Sequence, residues 1–398
     1  MRTISRVAIA GAGTMGASMA QIFAKCGYQV VLYDIAEPAI QRGQNLVKVN
    51  QESQVSSGDL TAEQSAEIIS HLSYTMDKQC FADCDLVVES ILENLEIKQN
   101  FWEEVSRIAK PDCLLCTNTS GLSITKICAR VQGKERFCGM HWFNPSHIVP
   151  LIEVINGDET APETAEAIYE FSKIIGKQPI YVKKDALGFI ANRLQAAILR
   201  EALYIKEQGI GDFADIDGAM KYGLGFRYAC LGPLEVVDQG GLDIHHHIAT
   251  YLWEDLADDK YPSGIFEELY QEGKYGVKSG AGFYDYSGDK ADQSIKKRDA
   301  MYLAMAKANP TGIEVENKPK DFVLKGEGCW YLFVHGLGMS SDPNVAINRP
   351  ADFTETFAFD APVAEVRWLD NGAALPFAQA DGKLSITTIP FAYGCNLV

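Results

Sequence analysis

The sequence predicts an α/β protein with a doubly wound, largely parallel sheet, followed by an all-helical domain and a small all-β module. Three observations predict it. Over residues 1–185, apolar runs of strand character ("RVAIAG", "QVVLYD", "DLVVES", "LLCTNT", "FCGMHWF", "LIEVI", "PIYVKK") alternate with helical stretches such as Thr14–Lys25 and Asn94–Ala109. Such alternation means parallel strands covered by helices. Over residues 186–308, apolar residues recur at helical spacing in "GFIANRLQAAILREALYIKEQG", "ADIDGAMKYG", "GLDIHHHIATYLWEDLA" and "SGIFEELYQEG". Over residues 312–398, "GCWYLFVHG", "ETFAFD", "AEVRWLD" and "KLSITTIPFA" read as short strands separated by Gly, Pro, Asn and Asp.

One excursion interrupts the first region. Residues 37–70 read as two polar helices joined at "SSGD", the second starting from a cap at Thr61. The long helix after Ala186 carries Phe189, Ile190, Leu194, Ile198, Leu203 and Ile205 on more than one face. An apolar girdle of that kind must be covered on several sides, in part by a second subunit, so a homodimer is expected.

The whole chain sets limits on function. Its 398 residues exceed one ordinary domain, and 47% hydrophobic with 22% charged residues is the composition of a globular protein with a real core. A formal net charge of -17 argues against nucleic acid or an anionic membrane as the main partner. A small anion needs only a local cation or a helix N-terminus and stays open. The start, "MRTISRVAIAGAGTMG", lacks a secretory pattern, no run approaches a membrane span, and ten cysteines lie scattered without a frame. A reducing, cytoplasmic setting is the expectation. "CLLC" at Cys113 and Cys116 has redox or metal spacing but lies in an apolar strand with no second pair, so it reads as structural; no metal site is expected.

Gly11, Gly13 and Gly16 form GxGxxG between the strand Val7–Ala10 and a helix opening at Thr14 and Met15, and the next strand ends in Asp34. In that context the pattern is a dinucleotide fingerprint of a Rossmann-like domain. The glycines permit the tight turn, the approach of backbone to a pyrophosphate, and close packing of helix on strand. Asp34 is placed to accept from a ribose 2′-hydroxyl, and no Arg or Lys follows it in "YDIAEP", so NAD is expected over NADP.

A nicotinamide cofactor needs a proton carrier beside it. His is the usual base near neutral pH, and His141 ends a sheet strand, where open α/β folds gather their ligands. Glu153 sits inside the apolar run Val149–Ile155, where a carboxylate is costly unless it meets a partner. Accepting from the other imidazole nitrogen would fix the tautomer. The alternative is a core histidine and a glutamate paired elsewhere. Ser120 could donate to a developing alkoxide or simply cap "LSITKI", and Asn192 could do the same or be an ordinary helix residue.

"NTSGLSI", "GMHWFNP", "PLIEVI", "DALGFIANRL", "LGPLEVVDQGGLD" and "GVKSGAGFYDY" occur in this order. With the fingerprint, they make the chain resemble the L-3-hydroxyacyl-CoA dehydrogenases over about residues 4–290. The resemblance implies NAD-dependent, reversible oxidation of a 3-hydroxyacyl-CoA, of the kind met in fatty-acid or butanoate metabolism. It implies His141 as catalytic base, Glu153 as its orienting carboxylate, and Ser120 and Asn192 around the substrate 3-oxygen. It implies cofactor contacts at Glu93 and Lys98 in "ESILENLEIK", and at Asn118, Ser120 and Asn144. It places the excursion at residues 37–70 near the CoA moiety, and a dimer contact in the helical domain. Two segments depart from the pattern. "GFRYACLGPLE" differs from the butyryl-chain enzymes, and "NPSHIVPLIEV" is close to relatives oxidising free hydroxy acids such as gulonate or carnitine. A dehydrogenase of a free hydroxy acid is therefore the alternative. The tail resembles the C-terminal β-sandwich of α-L-fucosidase-type glycosidases, which would imply a carbohydrate-binding role for it. "HHH" at His245–His247 would point three ways on a helix and reads as a solvated face.

Overall fold

The computed structural model describes residues 4–56 and 58–308 and, in the tail, residues 322–326, 329–333, 347–349, 353–359, 362–367, 374–388 and 391–393. The chain divides into two compact units, Met1–Ala306 and Lys307–Val398.

The first unit is built on an eight-stranded sheet: β1 (Arg6–Ala10), β2 (Gln29–Tyr33), β3 (Leu72–Thr75), β4 (Leu86–Glu89), β5 (Leu114–Thr117), β6 (Phe137–Trp142), β7 (Leu151–Ile155) and β8 (Gln178–Val182). The order is β3-β2-β1-β4-β5-β6-β7-β8. Its first six members follow the doubly wound order that leaves a crevice where the winding reverses, between β1 and β4. Seven strands match the apolar runs of the sequence; β3 is an edge strand that the sequence reading passed over. The pairing of β6 with β7 is antiparallel, and β7 with β8 is parallel again.

Alternate strand residues feed two cores. Val7 and Ile9 of β1 face one side, and Ala8 and Ala10 face the other. The first side is covered by α1 (Thr14–Lys25), α2 (Glu37–Ser56) and α3 (Ala62–Ser70), and later by α6 (Pro162–Ile174). The second is covered by α4 (Leu95–Ile108) and the one-turn α5 (Ile124–Ile127). Small residues (Gly16, Ala17, Ser18, Ala20, Ala24) are buried on α1 and let it lie close on the sheet. α2 and α3 are the expected helical hairpin. Thr61 starts α3 through a capping box: its hydroxyl accepts from Gln64 N, and the Gln64 side chain accepts from Thr61 N.

The rest of the unit is helical: α7 (Ala191–Glu207), α8 (Phe213–Ala219), α9 (Gly225–Tyr228), α10 (Pro233–Gly240), α11 (Leu242–Leu252), α12 (Gly264–Gln271) and α13 (Lys290–Ala308). The stretch "ADIDGAMKYG" is α8 running into a π turn at Met220–Leu224. α7 begins at Ala191 because Gly188 and Phe189 adopt positive φ of 73° and 52° and kink the chain first. The expectation that α7 is covered all round is not met within the chain. α7 buries no residue, and Leu194 is 53% and Ile198 44% exposed. Among the described residues, no helix is long and apolar enough to cross a membrane.

Among its described residues, the second unit contains three small antiparallel sheets. They are β9 (Phe322–Gly326) with β10 (Cys329–Phe333), β11 (Ile347–Arg349) with β15 (Phe391–Tyr393), and β14 (Lys383–Thr388) between β12 (Phe353–Ala358) and β13 (Phe377–Ala380). Leu375, Leu384 and Ile386 form its core with Phe359, Val363, Val366 and Phe377. The expected strand at "AEVRWLD" is reduced, in its described part, to one bridge between Arg367 and Ala374.

Candidate active site

The glycine turn closes as the fingerprint requires. Gly11 has φ 104°, and a Cβ there would lie 2.4 Å from the Ser90 carbonyl oxygen. A Cβ on Gly16 would lie 1.8 Å from the Gly11 carbonyl oxygen, whereas a Cβ on Gly13 would meet nothing within 4 Å. Gly11 and Gly16 are thus fixed by packing inside the protein, and Gly13 faces open space at the start of α1. No side chain caps that helix. The N-terminal N–H groups at Thr14 and Met15 and the partial positive charge of the helix suit an anionic pyrophosphate. Asp34 follows β2. Its carboxylate accepts from Ala12 N at 2.9 Å and Ala36 N at 3.3 Å, which holds it at the rim of the turn, half-exposed, where a ribose would lie. The residues present fit NAD.

His141 and Glu153 are directly opposite one another on the antiparallel pair β6–β7, so both side chains rise from one face. His141 Nδ1 and Glu153 Oε2 are 2.8 Å apart. The carboxylate can only accept, so Nδ1 carries the proton and Nε2 is left for a reactant. His141 is 3% and Glu153 0% exposed. The other carboxylate oxygen, Oε1, accepts from Ile190 N at 3.0 Å and Ala191 N at 2.9 Å, at the N-terminus of α7. Burial pushes the Glu153 pKa up, but donation from His141, then from Ala191 and Ile190, outweighs it and leaves the pKa lowered. The imidazole packs against Phe143 and Phe189, with ring centroids 4.4 and 5.7 Å away.

α7 also carries Asn192, whose Nδ2 donates to the Ser120 carbonyl oxygen at 2.7 Å. Ser120 is exposed and lies in the loop after β5, and its backbone N–H donates to Glu93 Oε1 at 2.9 Å. Glu93 accepts in addition from Thr119 Oγ1 at 2.5 Å and pairs with Lys98 at 3.2 Å. Lys98 itself is enclosed, 0% exposed, and its ammonium sits 2.5 Å from Glu89 Oε1. Asn118 bridges neighbouring strand ends: its Oδ1 accepts from Trp142 N at 2.8 Å, and its Nδ2 donates to Ser90 Oγ at 3.2 Å. Asn144 is exposed in the connection after β6. The structure therefore brings His141, Glu153, Asn192 and Ser120 into one bonded neighbourhood, with Glu93 and Lys98 beneath the Ser120 loop.

Sequence reasoning missed Glu89, which is 0% exposed and accepts from Ile91 N, Lys98 Nζ, Trp102 Nε1 and Thr117 Oγ1. An acid at the end of the apolar run Leu86–Val88 was its available signal. In the CxxC, Cys113 Sγ donates to the Leu114 carbonyl, and Cys116 Sγ lies 3.6 Å from Cys138 Sγ across β5–β6. Among the described residues, no group of His, Cys, Asp or Glu could hold a metal ion.

Residues 6–186 match the NAD-binding domain, and residues 188–286 the C-terminal domain, of 3-hydroxyacyl-CoA dehydrogenase. The chain is 37% identical over 303 residues to the 5-formyl-3-hydroxy-2-methylpyridine 4-carboxylate 5-dehydrogenase of Mesorhizobium japonicum, with 76% of this chain and 97% of that one covered. It is 36% identical over 288 residues to the 3-hydroxybutyryl-CoA dehydrogenase of Bradyrhizobium diazoefficiens, with 72% and 97% covered. Among solved structures, a 5-formyl-3-hydroxy-2-methylpyridine 4-carboxylic acid 5-dehydrogenase, described as an NAD+-dependent dismutase, superposes with a TM-score of 0.71. It is 35% identical, with 77% of this chain and 98% of that chain covered.

Proposed function

Because the chain belongs to the 3-hydroxyacyl-CoA dehydrogenase family of NAD-dependent oxidoreductases, we propose that it interconverts an L-3-hydroxyacyl-CoA and the 3-oxoacyl-CoA, with His141 as proton carrier. The observation that carries this reading is the enclosed 2.8 Å contact between His141 Nδ1 and Glu153, which leaves Nε2 as the proton acceptor. Bound NAD supplies the acceptor for the hydride that leaves C3 of the alcohol. His141 Nε2 takes the hydroxyl proton, and Glu153 stabilises the imidazolium formed. Ser120 and Asn192 are the donors to the 3-oxygen in this reading, supported by the 2.7 Å bond from Asn192 Nδ2 to the Ser120 carbonyl oxygen that keeps the two residues together. Thr14, Met15, Gly11, Gly13, Gly16 and Asp34 would hold the cofactor, and Glu93, Asn118 and Asn144 would contact it as well, with Lys98 holding the Glu93 carboxylate at 3.2 Å. The exposed apolar residues of α7 and α11, among them Leu194, Ile198 and Leu252, support a homodimer through the helical region.

A second reading has a specific observation in its favour. The hairpin α2–α3, which by resemblance would meet CoA, bears Glu37, Glu52, Asp59, Glu63 and Glu67 against only Arg42 and Lys48. Lys48 lies 3.9 Å from Glu52. An acidic surface suits the multiply anionic phosphates of CoA poorly and is indifferent to a compact free hydroxy acid. The similarity to a pyridine-carboxylate dehydrogenase supports the same direction. Initial rates with NADH and acetoacetyl-CoA, a longer 3-oxoacyl-CoA, or a free 3-oxo acid separate the readings. Turnover only of thioesters supports the first; turnover only of the free acid replaces it with the second.

A further inference from the structure

Lys177 lies between α6 and β8 and is 7% exposed. Its described partners are two carbonyls and an aromatic face rather than a carboxylate. Nζ donates to the Ser146 carbonyl oxygen at 2.5 Å and to the Val149 carbonyl oxygen at 2.9 Å, and it lies 5.3 Å from the ring centroid of Trp142. Burial pushes its pKa down to about 8. Enclosing a Lys this way is costly, and even the neutral amine keeps two N–H donors for the two carbonyls.

These contacts lead in one direction. Ser146 and Val149 belong to the connection between β6 and β7, the strands that carry His141 and Glu153. Ser146 Oγ donates to Ser18 Oγ at 2.7 Å, with both residues buried, and Ser18 lies on α1 just past the glycine turn. Trp142 follows His141 directly and packs edge-on against Phe23 of α1, with centroids 5.7 Å apart. Two links, Lys177–Ser146–Ser18 and Lys177–Trp142–Phe23, therefore join the His141 strand end to the helix that opens the cofactor site.

We propose that Lys177 is a positioning residue, which through Ser146 and Trp142 fixes α1 relative to the end of β6 and so sets the cofactor against His141. The proposal rests on the reading of His141 as proton carrier. Hydride transfer requires the reacting atoms within roughly 3–3.5 Å, and a misplacement of about 1 Å can cost ~10²-fold in rate.

The test compares Lys177→Met, which keeps an apolar stem and removes the donors, with Lys177→Arg, which restores them, and with Ser146→Ala. Lys177→Met should lower kcat by ~10–100-fold, leave the KM for NAD within about 2-fold, and raise the primary isotope effect with C4-deuterated NADH. Lys177→Arg should recover most of the rate. Ser146→Ala should lose less, and adding it to Lys177→Met should cost little more, because one linkage is broken twice. A readout independent of turnover is amide hydrogen exchange in the cofactor-free protein. Residues 143–149 and the first turn of α1 should exchange ~10-fold faster in Lys177→Met. Unchanged exchange there, or an unchanged isotope effect with no rescue by Lys177→Arg, overturns the proposal. Full activity in His141→Ala would instead overturn the reading beneath it, and the exchange result would still stand on its own.

Discussion

At the scale of single residues, Glu153 meets both His141 and a second partner, which the sequence reading had set as alternatives. One oxygen meets His141 Nδ1, and the other meets the N–H groups of Ile190 and Ala191 at the start of α7. Removing the imidazole and removing the charge therefore have different consequences. His141→Ala should lower kcat by ~10²–10⁴-fold while NAD affinity barely changes, since the phosphates and ribose are held elsewhere. Glu153→Gln should lower kcat less, and the double variant should be little worse than His141→Ala alone. Additive losses in steady-state rates would mean that Glu153 serves only the fold. Its stabilising role has its own signature. The folded-state pKa of Glu153 is lowered from an ordinary value of 4.5. The unfolded chain thus binds the proton more readily. The stability that this carboxylate contributes is fully present above pH ~4.5 and is lost as pH falls through the lowered value. Acid-unfolding curves should show this: Glu153→Gln should lose stability at pH 7 and be less sensitive to acid below pH ~4.5. A parallel offset from the wild type across the whole range would contradict the assignment.

At the scale of elements, the glycine turn makes the sharpest prediction. A Cβ on Gly16 would fall 1.8 Å from the Gly11 carbonyl oxygen, and neither backbone segment can yield without moving α1 off β1. Gly16→Ala should destabilise the fold by ~1–3 kcal/mol, in the range of overpacking, and weaken NAD binding together with it. Thermal unfolding with and without NAD would check this, and an unchanged melting temperature would refute the packing argument. The seven strands on apolar runs and the hairpin with its Thr61 cap were legible in the sequence, because periodicity and capping chemistry are local signals. β3 was not. "LSYT" is four mixed residues at a sheet edge, half-buried and without an apolar run to announce it. The start of α7 was misplaced for a different reason. The sequence offers helical periodicity from Gly188, but Phe189 is held at φ 52° where its ring packs against His141, a tertiary demand that overrides local preference. His141 and Glu153 were readable as chemistry and as one of two candidate pairings, and the antiparallel register of β6 and β7 is what sets them opposite each other. Lys98 was reached only through the resemblance, and Lys177 not at all. Lys98 is enclosed by Glu89 and Glu93, and Lys177 by the Ser146 and Val149 carbonyls of the β6–β7 connection, and no periodicity in the sequence marks either cation as buried.

At the scale of the whole molecule, the uncovered faces of the helical region and the second unit raise distinct expectations. Trp253 is 73% and Leu194 53% exposed, with Ile198, Leu252 and Tyr251 also uncovered. Covering apolar surface on this scale is the ground for the proposed homodimer. Light scattering at micromolar concentration should give twice the chain mass of 43.8 kDa, and a monomer there would reject the dimer. The second unit is a separate matter. The family match ends at residue 286, and the residues that form the candidate site lie between Gly11 and Asn192. Lys307–Val398 has its own core of Leu375, Leu384 and Ile386. A chain ending at Ala308, which keeps all of α13, should therefore fold and retain wild-type kcat and KM within about 2-fold, because no group that moves a proton or holds the cofactor is removed. If the shortened chain folds by circular dichroism but loses more than ~10-fold in kcat/KM, the second unit contributes to catalysis. If it instead keeps its rate and loses retention on an oligosaccharide column that holds the full chain, the tail is a binding module carried beside an independent dehydrogenase.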